Sequence, residues 1–467
     1  MIEFQNRDTR QPTEIVPFSE AVRTWARIAA LSFGGPAGQI AVMHRILVEE
    51  KGWIGETRFL HALNYCMLLP GPEAHELAIY IGWLLHRVRG GLVAGILFVL
   101  PGIFVLTGLS LIYAEFGHVG CVQALFLGLK AAVLAVVIEA VLRVGKRALK
   151  QRWLVAVAAL AFVAIFAFAV PFPLIVLSAA LIGLNARRAG LPTPSPGHAS
   201  PNAGAPENKP VVDAMFAHEA PGHVRPSLAR FVKAAGIGAL VWLGPLAVLF
   251  AVVGPQNVFT SIAAFNSKMA VVTFGGAYAV LAYMAQQAVE YYHWLRPGEM
   301  LVGLGFAETT PGPLICVVQF VGFMAAFRHA GALDPAAAGV LGGLLAMWST
   351  FVPPFIWIFV GGPYVEALIG NVSLNDALSA VTAAVVGVIL NLAVWFAIHA
   401  IFGTVNVVTG YGLHLAAPEL SSVNWTTLAL AVAAAIAIFR FHLGMLATLA
   451  LSSLASLVLY GFGFSAA

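Results

Sequence analysis

Glu73, His75 and Glu76 follow the triplet Pro70-Gly71-Pro72, and Glu308, Thr309 and Thr310 precede Pro311-Gly312-Pro313, all inside strongly apolar sequence. An ionisable side chain in lipid is costly enough to imply a cavity or a partner. The triplets supply a second kind of chemistry. Proline deletes an N–H and the bond to the preceding turn, while glycine lets backbone approach closely, so a helix broken there leaves amides that need water, protein or a ligand. A half-helix starting at Pro72 or Pro313 aims its first N–H groups and its positive dipole end at the break, which suits an anion. A carboxylate beside that anion repels it unless protonated, so Glu73, His75, Glu76 and Glu308 are candidates for coupling proton entry to anion exit. Plainer roles stand beside these. Acids in a first turn also stabilise a helix start, the hydroxyls of Thr309 and Thr310 either donate to an oxyanion or bond back to their own turn, and Asn64, Gln286, Gln319 and Asn391 either line a polar path or bridge helices.

The elements that would position these groups occur twice. Phe33-Gly34-Gly35, Trp53 and Pro70-Gly71-Pro72 return 241 residues later as Phe274-Gly275-Gly276, Trp294 and Pro311-Gly312-Pro313. In the same register Ala41, Met43, Val48, Glu49, Leu60 and Leu63 meet Ala282, Met284, Val289, Glu290, Leu301 and Leu304. In each half a small-residue break, Ser32-Phe33-Gly34-Gly35-Pro36 or Thr273-Phe274-Gly275-Gly276, precedes the prolyl triplet. Duplicated, interrupted apolar helices are how secondary transporters build a midplane site. The bland alternative, a kinked helix with glycines at a tight crossing, fits Gly34-xxx-Gly38 and Gly91-xxx-Gly95; the duplication favours the interrupted-helix reading.

With 467 residues, 60% hydrophobic, 10% charged and a mean hydropathy of +0.88, the chain is an all-α polytopic membrane protein. Its polar first 20 residues carry no cleavage-site pattern, so no removed signal peptide is expected. Thirteen apolar stretches are expected as spans: 21–43, 58–88, 91–115, 119–142, 153–170, 171–187, 231–253, 262–289, 299–328, 333–362, 376–402, 423–439 and 441–463. The pairs at 153–187 and 423–463 are short for two crossings each and suit tight hairpins or tilted helices. The chain then divides into a first membrane repeat at 1–188, a proline-rich solvated linker at 189–230, and an extra span plus second repeat at 231–467. The cluster Arg143, Lys146, Arg147, Lys150 and Arg152 places that loop, the N-terminus and the linker in the cytoplasm. Reading 58–88 as one long broken crossing puts Arg45, Lys51, Arg58, Lys268 and Arg328 outside and Lys130 within a span. Six spans, one extra span and six more make the repeats inverted in topology.

Cys66, Cys121 and Cys316 lack CxxC or Cys/His ligand spacing, which argues against disulfides, zinc and thiol redox chemistry. No Walker loop, nucleotide fingerprint, Ser/His/Asp set or nucleic-acid patch is present, so neither an enzyme nor an ATP pump is expected, and no cofactor or metal.

FGGPAGQIAVMHR at 33–45, FLHALNYCMLLPGPEAHELAIYIGW at 59–83, FVLPG at 98–102, FGGAYAVLAYMAQQAVEYYHWL at 274–295 and GLGFAETTPGPLICVVQFVGF at 303–323 closely resemble the chromate ion transporter family in its long, two-domain form. The resemblance implies a multi-pass protein of the bacterial inner membrane that exports chromate, with sulfate as the related oxyanion. One departure is His75-Glu76, where many relatives carry a Gln pair. Substrate-binding candidates are then Ser32, Phe33, Gly34, Gly35, Asn64, Pro70, Gly71, Pro72, Thr273, Gly275, Gly276, Thr309, Thr310, Pro311, Gly312 and Pro313. The expected partners are chromate or sulfate, the lipid bilayer and, as an open option, a second copy of the chain. An anion channel of the same architecture and a membrane scaffold are the rival classes.

Overall fold

Backbone polar groups in a bilayer must be satisfied within the segment that carries them, so apolar runs of this length fold as helices. The computed structural model describes residues 16–192, 210–218, 222–274, 277–365, 372–410 and 413–463, and holds seventeen α-helices among them. The protein is an all-α membrane protein. Its first half comprises α1 (Phe18–Leu31), α2 (Gly35–His44), α3 (Glu56–Cys66), α4 (Glu73–Phe116), α5 (Gly120–Ala148), α6 (Arg152–Phe168) and α7 (Phe172–Asn185). Then come α8 (Val211–His218) in the linker and α9 (Leu228–Val252), which has no buried residue. The second half comprises α10 (Val258–Val272), α11 (Ala277–Gln286), α12 (Glu299–Thr309), α13 (Val317–Arg328), α14 (Pro335–Gly361), α15 (Val372–Ile401), α16 (Trp425–Phe439) and α17 (Met445–Gly461).

The two halves share their irregularities as well as their helices. α2 runs into a π turn at Arg45–Glu50 and α11 into one at Gln287–Tyr291. Each turn is closed by a repeated tryptophan, Trp53 N–H donating to Leu47 at 2.9 Å and Trp294 N–H to Ala288 at 2.8 Å.

Ion pairs show that the broken segments are hairpins rather than crossings. Lys51 pairs with Glu20 and Arg27 with Glu50, both at 2.7 Å, so the chain leaving α2 returns to the end where α1 began. α3 starts against the linker, where Arg58 meets Asp213 at 2.6 Å. α4 is two arms folded together: His86 (φ −133°) and Arg87 (φ 55°) are non-helical, and His75 Nε2 lies 3.2 Å from the Gly95 carbonyl of the other arm. His86 Nε2 in turn lies 2.8 Å from the carbonyl of Val16, ahead of α1. The stretches 21–43 and 58–88 therefore enter and leave at one end, which corrects the expectation of a single crossing for each. It also corrects Lys51 and Arg58, whose partners place them at the linker end and not opposite it, and Arg45 beside them, which shares Glu50. Because both stretches change together, parity is kept: the second arm of α4 crosses, α5 returns, and the basic cluster lies at the end where α1 starts.

Across the molecule the same device recurs. Arg328 at the end of α13 holds Glu299 at the start of α12 at 2.7 Å. Among the described residues, five helices are long and apolar enough to cross a membrane, namely α4, α5, α9, α14 (with Gly362–Tyr364) and α15. The α6–α7 pair is a hairpin whose ends meet, Trp153 Nε1 donating to Pro192 at 2.8 Å. A feature the sequence reading missed is a β-hairpin after α15, β1 (Val405–Gly410) with β2 (Leu413–Pro418), paired antiparallel from Val405 with Pro418 to Gly410 with Leu413. α9 lies antiparallel on α14: Phe231 packs on Tyr364 and Trp242 Nε1 donates to Ser349 at 3.2 Å. α14 thus arrives at the linker end, whereas the second arm of α4, its counterpart, departs from it.

Candidate functional site

The hairpin tips of the two halves meet and bond to each other reciprocally. Gly71 N–H donates to the Thr273 carbonyl at 2.9 Å, and Gly312 N–H donates to the Ser32 carbonyl at 2.9 Å. Each prolyl triplet of one half is thereby joined to the small-residue break of the other. The local reason is conformational. Ser32 (φ −82°, ψ 75°) and Thr273 (φ −78°, ψ 86°) end α1 and α10 in the same non-helical turn, which presents the carbonyl forward. Gly71 (φ 154°) and Gly312 (φ 126°) occupy backbone that side chains rarely adopt, and a Cβ on Gly71 would fall 2.5 Å from Glu76 Oε1.

The hydroxyls near these tips are engaged locally. Ser32 Oγ donates to Ile28 at 2.7 Å and its counterpart Thr273 Oγ1 to Met269 at 2.6 Å. Thr310 Oγ1 donates to Phe306 at 2.6 Å, and Thr309 Oγ1 to Gly305 and Phe306 at 3.0 Å. These hydroxyls bond back to their own turns, so the donors aimed outward are backbone. No side chain caps α4 after Pro72 or the 3-10 turn at Leu314–Cys316 after Pro313. The first N–H groups of a helix have no intrahelical acceptor, so the amides after both triplets are available at the tips. α2 begins likewise at Gly34 (φ 86°) and Gly35 (φ 69°) without a side-chain cap, with Phe33 half-buried before it.

The ionisable candidates divide. Glu76 is fully buried beneath Gly71, with neither carboxylate oxygen hydrogen-bonded among the described residues, and Glu73 is half-buried in the same turn. His75, next along α4, is fully buried and packed edge-on against Phe351 (5.0 Å) and Phe355 (5.3 Å) of α14. Its Nε2 is committed to Gly95. Glu308 is buried with Oε1 accepting from Tyr278 at 2.7 Å and Oε2 unmatched. Pro70 and Pro311 are half-buried and Pro72 and Pro313 buried at the junction. Asn64 is exposed on α3. Gly275 and Gly276 lie outside the described residues.

Three participants escaped the sequence reading. Gln39 of α2 donates from Nε2 to the Gly312 carbonyl at 2.5 Å, with its Oε1 buried and unmatched. Gly102 of α4 lies against Pro311 and Cys316, so that a Cβ there would sit 3.2 Å from the Pro311 carbonyl. Pro354 of α14 packs on Gly71 in the mirrored place. The FVLPG word at 98–102 held part of this signal; Gln39 has no counterpart in the second half, where Val280 stands, so the repeat could not reveal it.

The profile of the family described as "Chromate transporter" matches residues 19–184 and 260–458. A chromate transport protein of Pseudomonas aeruginosa is 31% identical over 393 residues, 82% of this chain and 83% of its own. One of Cupriavidus metallidurans is 26% identical over 373 residues, covering 79% and 80% of the two chains. An uncharacterized transporter of Bacillus subtilis is 28% identical over 135 residues, 29% of this chain and 68% of its own. No solved structure matches the chain.

Proposed function

The chain belongs to the chromate transporter family, and we propose that it is a secondary transporter exporting chromate from the cytoplasm across the bacterial inner membrane. The observation that carries this reading is the reciprocal pair of bonds joining Gly71 to Thr273 and Gly312 to Ser32. It brings two uncapped helix starts to one place, and helix starts are anion sites by dipole and by unmatched N–H groups. The guest takes the amides following Pro72 and Pro313, with Gln39 at its edge. The two halves are inverted copies, as the opposite senses of α14 and the second arm of α4 support. The N-terminus, basic cluster and linker face the cytoplasm, where short Lys- and Arg-rich loops are retained.

Outward movement of a dianion from a negative interior is favoured by about 2.3 kcal/mol per charge per 100 mV, or roughly 4.6 kcal/mol in all. Export needs only a selective, gated path. Proton antiport adds to it: Glu76, buried beneath Gly71 without a hydrogen-bond partner, repels the guest when ionised and tolerates it when protonated. Catalysis plays no part in this reading, because the groups at the tips are backbone amides and carboxyls arranged to hold and release an ion.

The test is flux of labelled chromate into inside-out vesicles at fixed voltage and pH gradient, with sulfate as competitor. Saturable uptake that unlabelled chromate accelerates from the opposite side supports a carrier. Electrogenic flux without such counterflow would mark a channel, and sulfate competing at equal concentration would make sulfate the substrate.

A further inference from the structure

A cleft of about 1320 Å³ lies between α9 and the second arm of α4, with α14 along its floor. That exceeds the roughly 300–1,000 Å³ typical of small-molecule pockets, and it lies apart from the hairpin tips. Its length is apolar, with Ile96, Val99, Ile237, Val241 and Phe351 among the lining residues. Its charge is confined to one end. Arg87, Arg225, Arg230 and Lys233 gather at the linker end of the cleft. His223 shares that rim, but burial and then the neighbouring Arg87 hold its imidazole below the usual range, so the positive charge there is that of the arginines and Lys233. Arg230 is held by the carbonyls of Gly222 (2.6 Å) and Arg225 (2.8 Å), which fixes the linker over the rim.

We propose that this cleft binds an anionic phospholipid, its acyl chains between α9, α4 and α14 and its phosphate at the Arg87, Arg225, Arg230 and Lys233 rim. Two features set it apart from general lipid contact. Basic pockets between membrane helices at the cytoplasmic side select anionic head groups, each cation near the surface contributing to the attraction. Furthermore, α9 packs on α14 along one side, through Trp242 and Trp348, and has no buried residue, so its side toward the second arm of α4 is left open to acyl chains. The occupant would lie against Phe351, Phe355 and Gly95, the same three residues that surround His75 behind the first prolyl triplet.

The experiment is native mass spectrometry of the full-length purified protein exposed to phosphatidylglycerol or phosphatidylcholine, with and without excess inorganic phosphate. The wild type should retain phosphatidylglycerol over phosphatidylcholine by about tenfold or more, in line with the attraction of several basic residues. Lys233→Glu, on an exposed position, should reduce that preference about tenfold, and Ala234→Trp, which fills the cleft, should abolish retention of both lipids. Monodispersity by size exclusion checks folding; if Ala234→Trp fails it, the Lys233→Glu arm decides alone. Equal retention of the two lipids would overturn the proposal, as would phosphatidylglycerol retention unchanged in Lys233→Glu. Displacement of the lipid by inorganic phosphate would also overturn it, by showing a bare phosphate site.

Discussion

At the scale of the residue, Glu76 and Gly71 are one unit. The carboxyl of Glu76 lies where a side chain on Gly71 would go, and Gly71 itself bonds across to Thr273. Replacing Gly71 by Ala places a Cβ against the carboxyl and forces backbone from a region that glycine alone adopts easily, a strain of order 1–3 kcal/mol. Gly71→Ala should therefore remain membrane-inserted and monodisperse while chromate flux falls by about tenfold or more; normal flux would separate the tip bond from transport. Glu76→Gln keeps the shape and removes the charge. Its flux should persist while the response to an imposed pH gradient disappears, as measured in proteoliposomes at clamped voltage. An unchanged pH response would take Glu76 out of the coupling. Gly71 stood out in sequence because its triplet returns as Pro311-Gly312-Pro313, and Glu76, which meets Val317 in that register, stood out only as a charge in apolar sequence. Gln39 did not, since an isolated amide on an apolar stretch has many bland explanations and its partner, the Gly312 carbonyl, is 273 residues away.

At the scale of the element, a broken helix and a hairpin have the same local sequence. Breaker residues say that a helix stops; they do not say whether the next one continues onward or doubles back. Ser32–Gly35 and Pro70–Pro72 marked where helices stop, but direction was set by groups far apart in the chain, Glu20 with Lys51 and Arg58 with Asp213. Ion pairs between short helices and distant segments give no periodic signal, which is why the sequence alone does not show that 21–43 and 58–88 double back. The equivalent clasp in the second half is more buried. Arg328 holds Glu299 and also donates to the Trp294 carbonyl at 2.7 Å, binding the ends of the α12–α13 hairpin to the π turn. Removing one partner of a buried pair leaves the other charge uncompensated and costs on the order of 3–5 kcal/mol. Arg328→Ala should thus lower the thermal unfolding midpoint in detergent clearly, and adding Glu299→Gln should recover part of the loss. A double variant no more stable than the single one would mean the pair is incidental to the hairpin.

At the scale of the whole molecule, two hairpins per half change what the membrane sees. The pairs α1–α2 and α3 with the first arm of α4 both open at the linker end, so every loop between Lys51 and Arg58 belongs to the same side as the cluster Arg143 to Arg152. That arrangement concentrates positive charge at one face more strongly than thirteen separate crossings would, in the direction that fixes orientation. On the proposed inverted arrangement, α9 carries the chain across before the second half begins, so that α10 and α12 start from the opposite face and their tips meet the first pair from the other side. A cysteine introduced at Lys51, at Arg58 or at Lys150 should accordingly react with an impermeant thiol reagent only from the cytoplasmic side. One at Asp334, where α13 turns into α14, should react only from outside. If positions 51 and 150 were labelled from opposite faces, the segment between them would cross an odd number of times. The hairpins would then be crossings, and the two helix starts could not both reach the middle of the bilayer to hold an ion.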